Sequence, residues 1–581
     1  MNYPESPLAQ MTVALCKAYG IKNIIISPGS RNAPLTIGFT NDPFFNCFSI
    51  VDERCAAFFG LGIAQQSKSP TALVCTSGSA LLNYFPAIAE AFYTNIPMVV
   101  LSADRPKHLV EIGDGQTINQ VDVYGSHVRY STNLKSDLKN SDSLLSKDAP
   151  PLIKNLENKF EKFLGLIDSI EKQNEAEIRK ALSTSILQSS PVHINVPFDE
   201  PLYNMVENSK FNYSNSIPQL EHSLPENLDS IQEKWSSFSK IMILVGAMDP
   251  GMINQELLEK IISDPRIVVF TETLSNLHHP NLFPFIDKLI TSLSDSEFEK
   301  LRPELLLTLG GMIVSKRIKA FLRKYKPKEH WHVGENKAND TFFSLNKHFK
   351  SLPQTFLSQM DYSTESSDYR DYWLQVKNYR SARHKEFLDS APYSDLKVFS
   401  IILKRFPENV VLHLGNSATV RYSQLFNLAD DIEVYCNRGT SGIDGSTSTA
   451  IGAAVANNKQ NIIITGDLSF FYDSNALWNN YIPNNFRIII LNNSGGGIFR
   501  ILPGPKKVEA FEEFFETHHS LTAKELSDMY SFEYSSVNNL DDLDLALETF
   551  YNESVKPKIL EVFTPRLEND KTLTEYFKFL G

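Results

Sequence analysis

Ile462-Ile-Ile-Thr-Gly466-Asp467-Leu-Ser469, followed by Ile488-Ile-Ile-Leu-Asn492-Asn493-Ser494-Gly495-Gly496-Gly497, is the stretch on which the fold turns. Each half opens with a short, continuous β-branched run and closes on glycine, the pattern of a strand buried on both faces of a parallel sheet. Ligands of such sheets bind beyond the C-terminal strand ends, which is where Asp467, Asn493 and the glycine run fall. An Asp oxygen, an Asn oxygen and a free backbone carbonyl in the glycine run form a hard, oxygen-only set. That set suits Mg²⁺, with diphosphate oxygens and a water completing the octahedron. The plainer alternative is two strand-end turns, since N-N and G-G are common turn signals. The pairing on two neighbouring predicted strands favours the metal.

Similar runs recur outward from this stretch: Asn23–Ser27, Thr71–Thr76, Pro97–Ser102, Val192–Val196, Ile241–Val245, Ile267–Thr271, Leu305–Leu309 and Val410–Leu414. Each is followed by a turn signal and then a helical pattern, so the expected class is α/β with doubly wound parallel sheets. Polar stretches at Asn204–Pro225 and Ser351–Asp371 divide the chain into three expected domains, 1–203, 204–370 and 371–581. The charged, weakly patterned segment Ser131–Lys180 reads as surface helices and loops.

The composition narrows the class. With 581 residues, 42% hydrophobic and 21% charged, the chain can bury more than one core without disulfides or metals. Lys plus Arg is 56 and Asp plus Glu 68, a net −12, and no basic block is present, which argues against nucleic acid as the main partner. Cys16, Cys47, Cys55, Cys75 and Cys436 form no C-x-x-C pair and read as free thiols of a reducing compartment. MNYPESPLAQ lacks the basic and apolar regions of a signal peptide, and the longest apolar runs are too short to span a bilayer, so a soluble, cytoplasmic protein is expected. There is no G-x-x-x-x-G-K-[ST], H-E-x-x-H or G-x-S-x-G. Gly60-Leu-Gly62 is followed by Gln65 where a dinucleotide fingerprint needs Gly or Ala, and it lies inside a helical pattern. His278-His279 and His518-His519 lack ligand spacing and read as solvated.

Block one adds Ile26-Ser-Pro-Gly-Ser-Arg31-Asn-Ala-Pro-Leu35, Val51-Asp-Glu53-Arg54, Cys75-Thr-Ser-Gly-Ser79, Ser102-Ala-Asp-Arg105-Pro106 and Gln116-Thr-Ile-Asn-Gln120. With the G-D and N-N-x-G-G pair, these resemble the thiamine diphosphate-dependent enzymes. Within them they resemble the 2-succinyl-5-enolpyruvyl-6-hydroxy-3-cyclohexene-1-carboxylate synthases of menaquinone biosynthesis. The resemblance is strongest at 23–125, 410–450 and 461–503.

It implies a transferase that decarboxylates 2-oxoglutarate and adds the succinyl-semialdehyde carbanion to isochorismate, using thiamine diphosphate and Mg²⁺ or Mn²⁺. It further implies a homodimer or homotetramer with active sites at the subunit interface. By the same resemblance Asp467, Asn493 and Gly495 hold the metal, and Gly29, Ser30, Thr76, Ser441, Gly442, Ile443, Gly466 and Ser469 line the cofactor. Ser30, Arg31, Arg105, Gln116, Lys316, Arg317, Ser417, Arg421 and Arg438 match substrate positions, and Ile498, Phe499 and Leu502 an apolar wall. Both substrates are dicarboxylates, which planar guanidinium groups bind bidentately. The departures from the family pattern are Leu468, Gly115 and Gly497.

Glu53 has its own argument. Val51–Gln65 reads as a helix start capped by Asp52, with Ala56, Phe59 and Ile63 on one apolar face. A carboxyl group beside Phe58 and Phe59 would be partly desolvated, which favours its protonated form. The resemblance makes Glu53 the catalytic partner of the cofactor aminopyrimidine; the alternative is a first-turn Glu stabilised by the helix dipole. Two other readings stay open: another thiamine diphosphate-dependent 2-oxo acid decarboxylase or acetohydroxyacid synthase, or a non-catalytic regulatory relative. The basic positions in SPGSR and ADRP speak against the first. Retention of Glu53, Asp467 and Asn493 speaks against the second.

Overall fold

The computed structural model describes residues 2–137, 156–219, 227–501 and 504–581, with the side chains of 156–167 left out of the description. It divides into two compact units, the first comprising 1–220, 448–458 and 475–482 and the second 221–447, 459–474 and 483–581.

The first unit is built on a six-stranded parallel sheet. Its strands are β1 (Asn23–Ile26), β2 (Asn46–Ser49), β3 (Thr71–Cys75), β4 (Met98–Asp104), β5 (Tyr130–Asn133) and β6 (Val192–Pro197), in the order β2-β1-β3-β4-β6-β5. Ile24 and Ile26 join Leu8, Leu15 and Leu182 on one face. Ile25 and Leu73 turn to the other, toward Gly60 of helix Glu53–Ser67. Both faces are covered, which is why the central strands read as unbroken apolar runs.

The second unit holds two sheets. One is five-stranded: β7 (Ile241–Val245), β8 (Ile267–Phe270), β9 (Leu305–Leu309), β10 (Glu329–Val333) and β11 (Lys347–Phe349), ordered β8-β7-β9-β10-β11. The other is six-stranded: β12 (Val411–Leu414), β13 (Glu433–Tyr435), β14 (Asn461–Gly466), β15 (Arg487–Asn492), β16 (Glu533–Val537) and β17 (Lys558–Phe563). Its order, β13-β12-β14-β15-β17-β16, repeats that of the first unit strand for strand. In each sheet the chain leaves its first strand to one side and later returns on the other, creating a switch-point crevice at the strand C-termini. Those crevices lie at β1/β3, β7/β9 and β12/β14.

The central strands agree with the sequence reading except for Glu329–Val333 and Lys558–Phe563, interior strands that it did not name. The pairing strands Asn46–Ser49, Tyr130–Asn133, Lys347–Phe349 and Glu433–Tyr435 had no apolar run to announce them, being short, at or near sheet edges and partly polar. Within Ser131–Lys180 the described part contains the end of strand β5 and much of helix Leu156–Leu187. No helix of the described residues is long and apolar enough to cross a membrane.

The Gly60–Gly62 pair has a packing explanation. A Cβ on Gly62 would lie 2.0 Å from the Thr449 carbonyl oxygen, and one on Gly452 would lie 2.0 Å from the Phe59 carbonyl oxygen. The helices Glu53–Ser67 and Ser446–Ala456 therefore cross backbone to backbone, with Gly62, Thr449 and Gly452 all in the first unit. Gly62→Ala should lower the thermal midpoint sharply, because overpacking against backbone costs about 1–3 kcal/mol or more. Gly60→Ala should be milder, since its Cβ would meet side-chain atoms, the nearest being Leu73 Cδ2 at 2.8 Å. Equal midpoints for the two variants in a calorimetric scan would refute the crossing as the reason for Gly62.

Candidate active site

In the first unit, the loops after β1, β3 and β4 converge. A Cβ on Gly29 would lie 2.4 Å from Thr76 Cβ, so the Ser27–Arg31 loop can lie against Thr76 only with glycine there. Thr76 Oγ1 is buried and has no hydrogen-bond partner. Ser30 is exposed beside them. Arg31 donates to the Phe198 carbonyl at 3.2 Å and pairs with Glu200 at 3.2 Å. Arg105 pairs with Asp114 at 2.6 Å and donates to Ser77 Oγ at 3.0 Å and to the Gln116 carbonyl at 3.2 Å. Gln116 itself has φ of 60° and its carbonyl also accepts from Ser77 Oγ at 2.9 Å.

Glu53 is the first residue of its helix, half-buried, with Asp52 capping the Cys55 N–H at 3.1 Å. Its carboxylate accepts from Asn83 Nδ2 at 3.1 Å. Asn475 Nδ2 donates to Asp52 at 2.8 Å and braces the cap. Neither asparagine was singled out in the sequence, because nothing local marks a residue that reaches across a fold.

Behind these loops runs a buried polar network that the sequence reading also missed. Ser102 Oγ lies 2.7 Å from His193 Nε2 and donates to Asn195 Oδ1 at 2.8 Å. Asn195 Nδ2 donates to Asp104 at 2.8 Å, and Gln120 links Asn195 at 2.7 Å to the Gly78 N–H at 3.0 Å. Burial pushes His193 down to about 3, so it is neutral. Burial raises the Asp104 carboxyl, while Asn195, Arg105 and Arg31 pull it back. Arg31 and Arg105 thus share one acid at the end of β4.

In the second unit, Asp467 opens a short helix directly after β14. Its Oδ1 accepts from Leu468 N–H at 2.7 Å and its Oδ2 from Gly495 N–H at 2.9 Å; His519 Nε2 lies 3.3 Å from Oδ2. Asn493 follows β15, and its Nδ2 donates to Asp395 at 3.1 Å. That leaves Asn493 Oδ1 buried without a partner. The Gly495 carbonyl accepts from Gly497 N–H at 2.9 Å and keeps a second lone pair. One carboxylate, one oriented amide oxygen and one carbonyl are a candidate set for a divalent cation. Asp395 is the residue missed here: fully buried and pushed up to about 6 by burial, it accepts from Thr564 at 2.6 Å and fixes the Asn493 amide.

Beside this set, Ser469 Oγ donates to the Ile443 carbonyl at 2.6 Å, tying Gly466–Ser469 to Ser441–Ile443. Ile443 is 38% exposed, free to meet a ligand. Asn416 Nδ2 donates to the Asn437 and Gly442 carbonyls, both at 2.7 Å, and its Oδ1 accepts from Arg438 at 2.7 Å. Arg421 donates to the Ser417 carbonyl. Ser417, Ser441 and Ser494 all have φ between 61° and 71°, strain of the kind that clusters at functional sites. Ile498 and Phe499 are half-buried on helix Ile498–Ile501, and Leu502 lies outside the described residues.

The second-unit cations gather over two buried acids. Glu272 accepts from the N–H groups of Val314 and Ser315, both at 2.7 Å, and Ser315 Oγ donates to Asp287. Ser315 caps the helix Lys316–Lys324, so both acids set where that helix begins. Burial raises Asp287, and Ser315, Arg317 and Arg421 oppose it. Burial lowers Arg421, with Arg438 adding to the effect. Lys316 and Arg317 are exposed, Arg317 lying 4.6 Å over the Phe577 ring. Lys319, absent from the sequence reading, is half-buried among Glu272, Arg438 and Lys316.

Residues 7–123 match the thiamine pyrophosphate enzyme N-terminal TPP binding domain, and residues 417–562 the corresponding C-terminal TPP binding domain. A Flavobacterium psychrophilum protein named 2-succinyl-5-enolpyruvyl-6-hydroxy-3-cyclohexene-1-carboxylate synthase is 50% identical over 100% of both chains. Proteins of the same name are 51% identical in Christiangramia forsetii, over 100% of both chains, and 34% identical in Porphyromonas gingivalis, over 100% of this chain and 98% of that one.

Burial pushes the Glu272 carboxyl from its ordinary 4.5 up to about 7, with the Val314 and Ser315 N–H groups opposing. The folded state then binds more protons than the unfolded one between those values, so stability present below about pH 4.5 is lost as pH rises through about 7. The full effect is on the order of 3 kcal/mol. Glu272→Gln should therefore show a smaller fall in thermal midpoint between about pH 5 and pH 8 than the parent. Parallel midpoint–pH curves would show that Glu272 is not buried as a neutral acid.

Proposed function

The chain belongs to the 2-succinyl-5-enolpyruvyl-6-hydroxy-3-cyclohexene-1-carboxylate synthase family of thiamine pyrophosphate enzymes, and on that premise we propose that it decarboxylates 2-oxoglutarate and joins the remaining four-carbon unit to isochorismate. The product is 2-succinyl-5-enolpyruvyl-6-hydroxy-3-cyclohexene-1-carboxylate, a step of menaquinone biosynthesis. The observation that carries the reading is the similarity over the full length of relatives with that name.

The residues present fit the cofactor. Two buried polar atoms, Thr76 Oγ1 and Asn493 Oδ1, lack partners, and Gly29 leaves no space for a side chain against Thr76. Asp467, Asn493 and Gly495 would hold Mg²⁺ or Mn²⁺; Gly29, Ser30, Thr76, Ser441, Gly442, Ile443, Gly466 and Ser469 would hold thiamine diphosphate. When bound, that cofactor supplies a carbon nucleophile and an electron sink for the departing carboxylate. Glu53 holds a proton at N1′ of the aminopyrimidine, and Asn83 fixes its carboxylate for that task.

Arg31, Arg105 and Gln116 in the first unit, and Lys316, Arg317, Ser417, Arg421 and Arg438 in the second, bind and orient the two dicarboxylates. Ile498, Phe499 and Leu502 exclude water from the reacting carbons. The reading carries with it the three domains 1–203, 204–370 and 371–581, a cytoplasmic homodimer or homotetramer with active sites at the subunit interface, and neither nucleic acid nor membrane as partner.

The direct test is CO₂ release from 2-oxoglutarate, with thiamine diphosphate and Mg²⁺, in the presence and absence of isochorismate. Product formation that does not require isochorismate would replace this reading with a simple decarboxylase. Glu53→Gln should retain the cofactor yet slow exchange of its C2 proton about a hundredfold or more, the usual scale of lost general acid–base catalysis. Exchange at the parent rate would remove Glu53 from the chemistry. Arg105→Ala should impair addition to isochorismate more than loading of 2-oxoglutarate. Removing one partner of a buried charge pair costs about 2–4 kcal/mol, or roughly thirty- to several-hundredfold in rate. Stopped-flow absorbance with 2-oxoglutarate alone, compared with product formation, separates the steps; equal losses would assign Arg105 to both.

A further inference from the structure

The loop that carries Gly495 is held from outside by a segment that no motif marks. Residues Glu512–Glu516 wind as a π-helix, a rare form that recurs at functional sites, and the chain leaves it through Thr517 at φ 53°. It then runs along the loop and is bonded to it through main-chain oxygens and nitrogens. Gly496 N–H donates to the Glu516 carbonyl at 2.6 Å, and His519 N–H to the Ser494 carbonyl at 3.2 Å. Asn492 Nδ2 donates to the Leu521 carbonyl at 3.0 Å. The approach requires glycine: a Cβ on Gly495, where φ is 146°, would lie 2.6 Å from the Glu516 carbonyl oxygen.

The carboxylate of the same Glu516 is 1% exposed and lies between two arginines. Arg500 donates to both of its oxygens, one from Nε and one from a terminal nitrogen. Arg566 donates to it from Nε at 3.1 Å and from a terminal nitrogen at 2.5 Å. Burial raises the Glu516 carboxyl, and the two arginines outweigh burial and hold it below its ordinary value. Glu512, out in solvent, pairs with Arg566 at 3.0 Å and Arg500 at 3.7 Å, so two acids answer two bases. Such a buried, fully hydrogen-bonded group fixes geometry, and removing one partner leaves the others uncompensated.

The two arginines belong to different parts of the site. Arg566 lies just past the end of β17, where Thr564 N–H donates to the Asn492 carbonyl at 3.0 Å, so it is anchored to the sheet. Arg500 stands on helix Ile498–Ile501, next to Phe499. Gly496 joins the two functions. Its N–H is held by Glu516, and its carbonyl accepts from Phe499 N–H at 3.0 Å, starting the turn that carries Ile498 and Phe499. We propose that Glu516 is a positioning residue for the reaction: its carbonyl sets the Gly495–Gly496 backbone that would hold the cation, and its carboxylate, through Arg500, sets the apolar wall of Ile498 and Phe499. The inference rests on the reading of Gly495 as a metal ligand and of Phe499 as part of that wall.

The test titrates the full chain with Mn²⁺ in the presence of thiamine diphosphate, reading free Mn²⁺ by its electron paramagnetic resonance signal. Asp467→Ala should lose tight binding. Glu516→Gln should weaken it about ten- to a hundredfold, the usual scale for a residue that orients a metal ligand. Leu543→Ala, in the hydrophobic core of the same sheet, should lower the thermal midpoint yet keep the parent affinity. Arg500→Met leaves Arg566 on Glu516, so it should bind Mn²⁺ like the parent but lower kcat/KM, and Arg500→Lys should restore part of that loss. Should Glu516→Gln fail to fold, the Arg500 pair carries the test. Parent Mn²⁺ affinity in Glu516→Gln, an equal loss of affinity in Leu543→Ala, or parent kcat/KM in Arg500→Met would overturn the proposal and leave the metal reading intact. Parent affinity in Asp467→Ala would overturn the metal reading itself, and the proposal with it.

Discussion

A strand buried on both faces can offer chemistry only where it ends. Its side chains are spent on the two helical layers and its backbone on the ladder, so the first polar groups with freedom to meet a ligand follow its last residue. Asn461–Gly466 and Arg487–Asn492 are apolar in their centres and buried through nearly their whole length, and Asp467 and Asn493 come immediately after them. Ser27–Arg31 and Thr76–Gly78 stand in the same relation to β1 and β3. Because the two six-stranded sheets share one strand order, each presents its crevice at the same place in its own topology.

The crevices work only if backbones come close. A Cβ on Gly415 would meet Thr465 Oγ1 at 2.9 Å, and one on Gly246 would meet the Gly311 carbonyl oxygen at 2.2 Å. The same demand at Gly29 and Gly62 explains glycines that resemble a nucleotide fingerprint or a plain turn when read alone. Buried acids then do what surface acids cannot. Asp104, Glu272, Asp287 and Asp395 are all raised by burial, and each accepts hydrogen bonds from loops that carry basic or oxygen ligands. Their role is to hold those loops, since two charges in low dielectric gain from each other only at close range and with full hydrogen bonding.

The sheets, the strand-end motifs and the arginines were legible in the sequence because each has a local signature: an apolar run, a glycine beside a polar oxygen, a basic residue inside a recurring motif. Asp395 had none. It lies in the helical pattern of Asp395–Ile402 and becomes meaningful only when Asn493, 98 positions away, donates to it. Glu272, Asn83 and Asn416 were hidden for the same reason, as partners across sequence distance. Edge strands such as Tyr130–Asn133 were hidden because one neighbour and partial exposure remove the pressure for an apolar run. Arg31 and Arg105 act on Asp104 in the first unit, and Arg317, Arg421 and Arg438 on Asp287 and Glu272 in the second.

Strain and satisfaction finally sort which atoms are structural and which are addressed to a ligand. Left-handed serines at 417, 441 and 494 cost on the order of 1–3 kcal/mol each. They persist because Asn416 clamps Asn437 and Gly442, Asn492 Oδ1 accepts from Ser494 N–H at 3.1 Å, and Asp467 accepts from Gly495. Thr76 Oγ1, Asn493 Oδ1 and Arg438 Nε are among the buried side-chain atoms without a partner, as are Asn32 Oδ1, Tyr422 OH and Ser446 Oγ. A buried polar atom without a partner costs about 1–3 kcal/mol, a cost that a bound ligand would relieve. A hydroxyl, an amide oxygen and a guanidinium N–H are complementary to an organic cofactor, a divalent cation and a carboxylate, the classes of ligand that the proposed reaction would bring together.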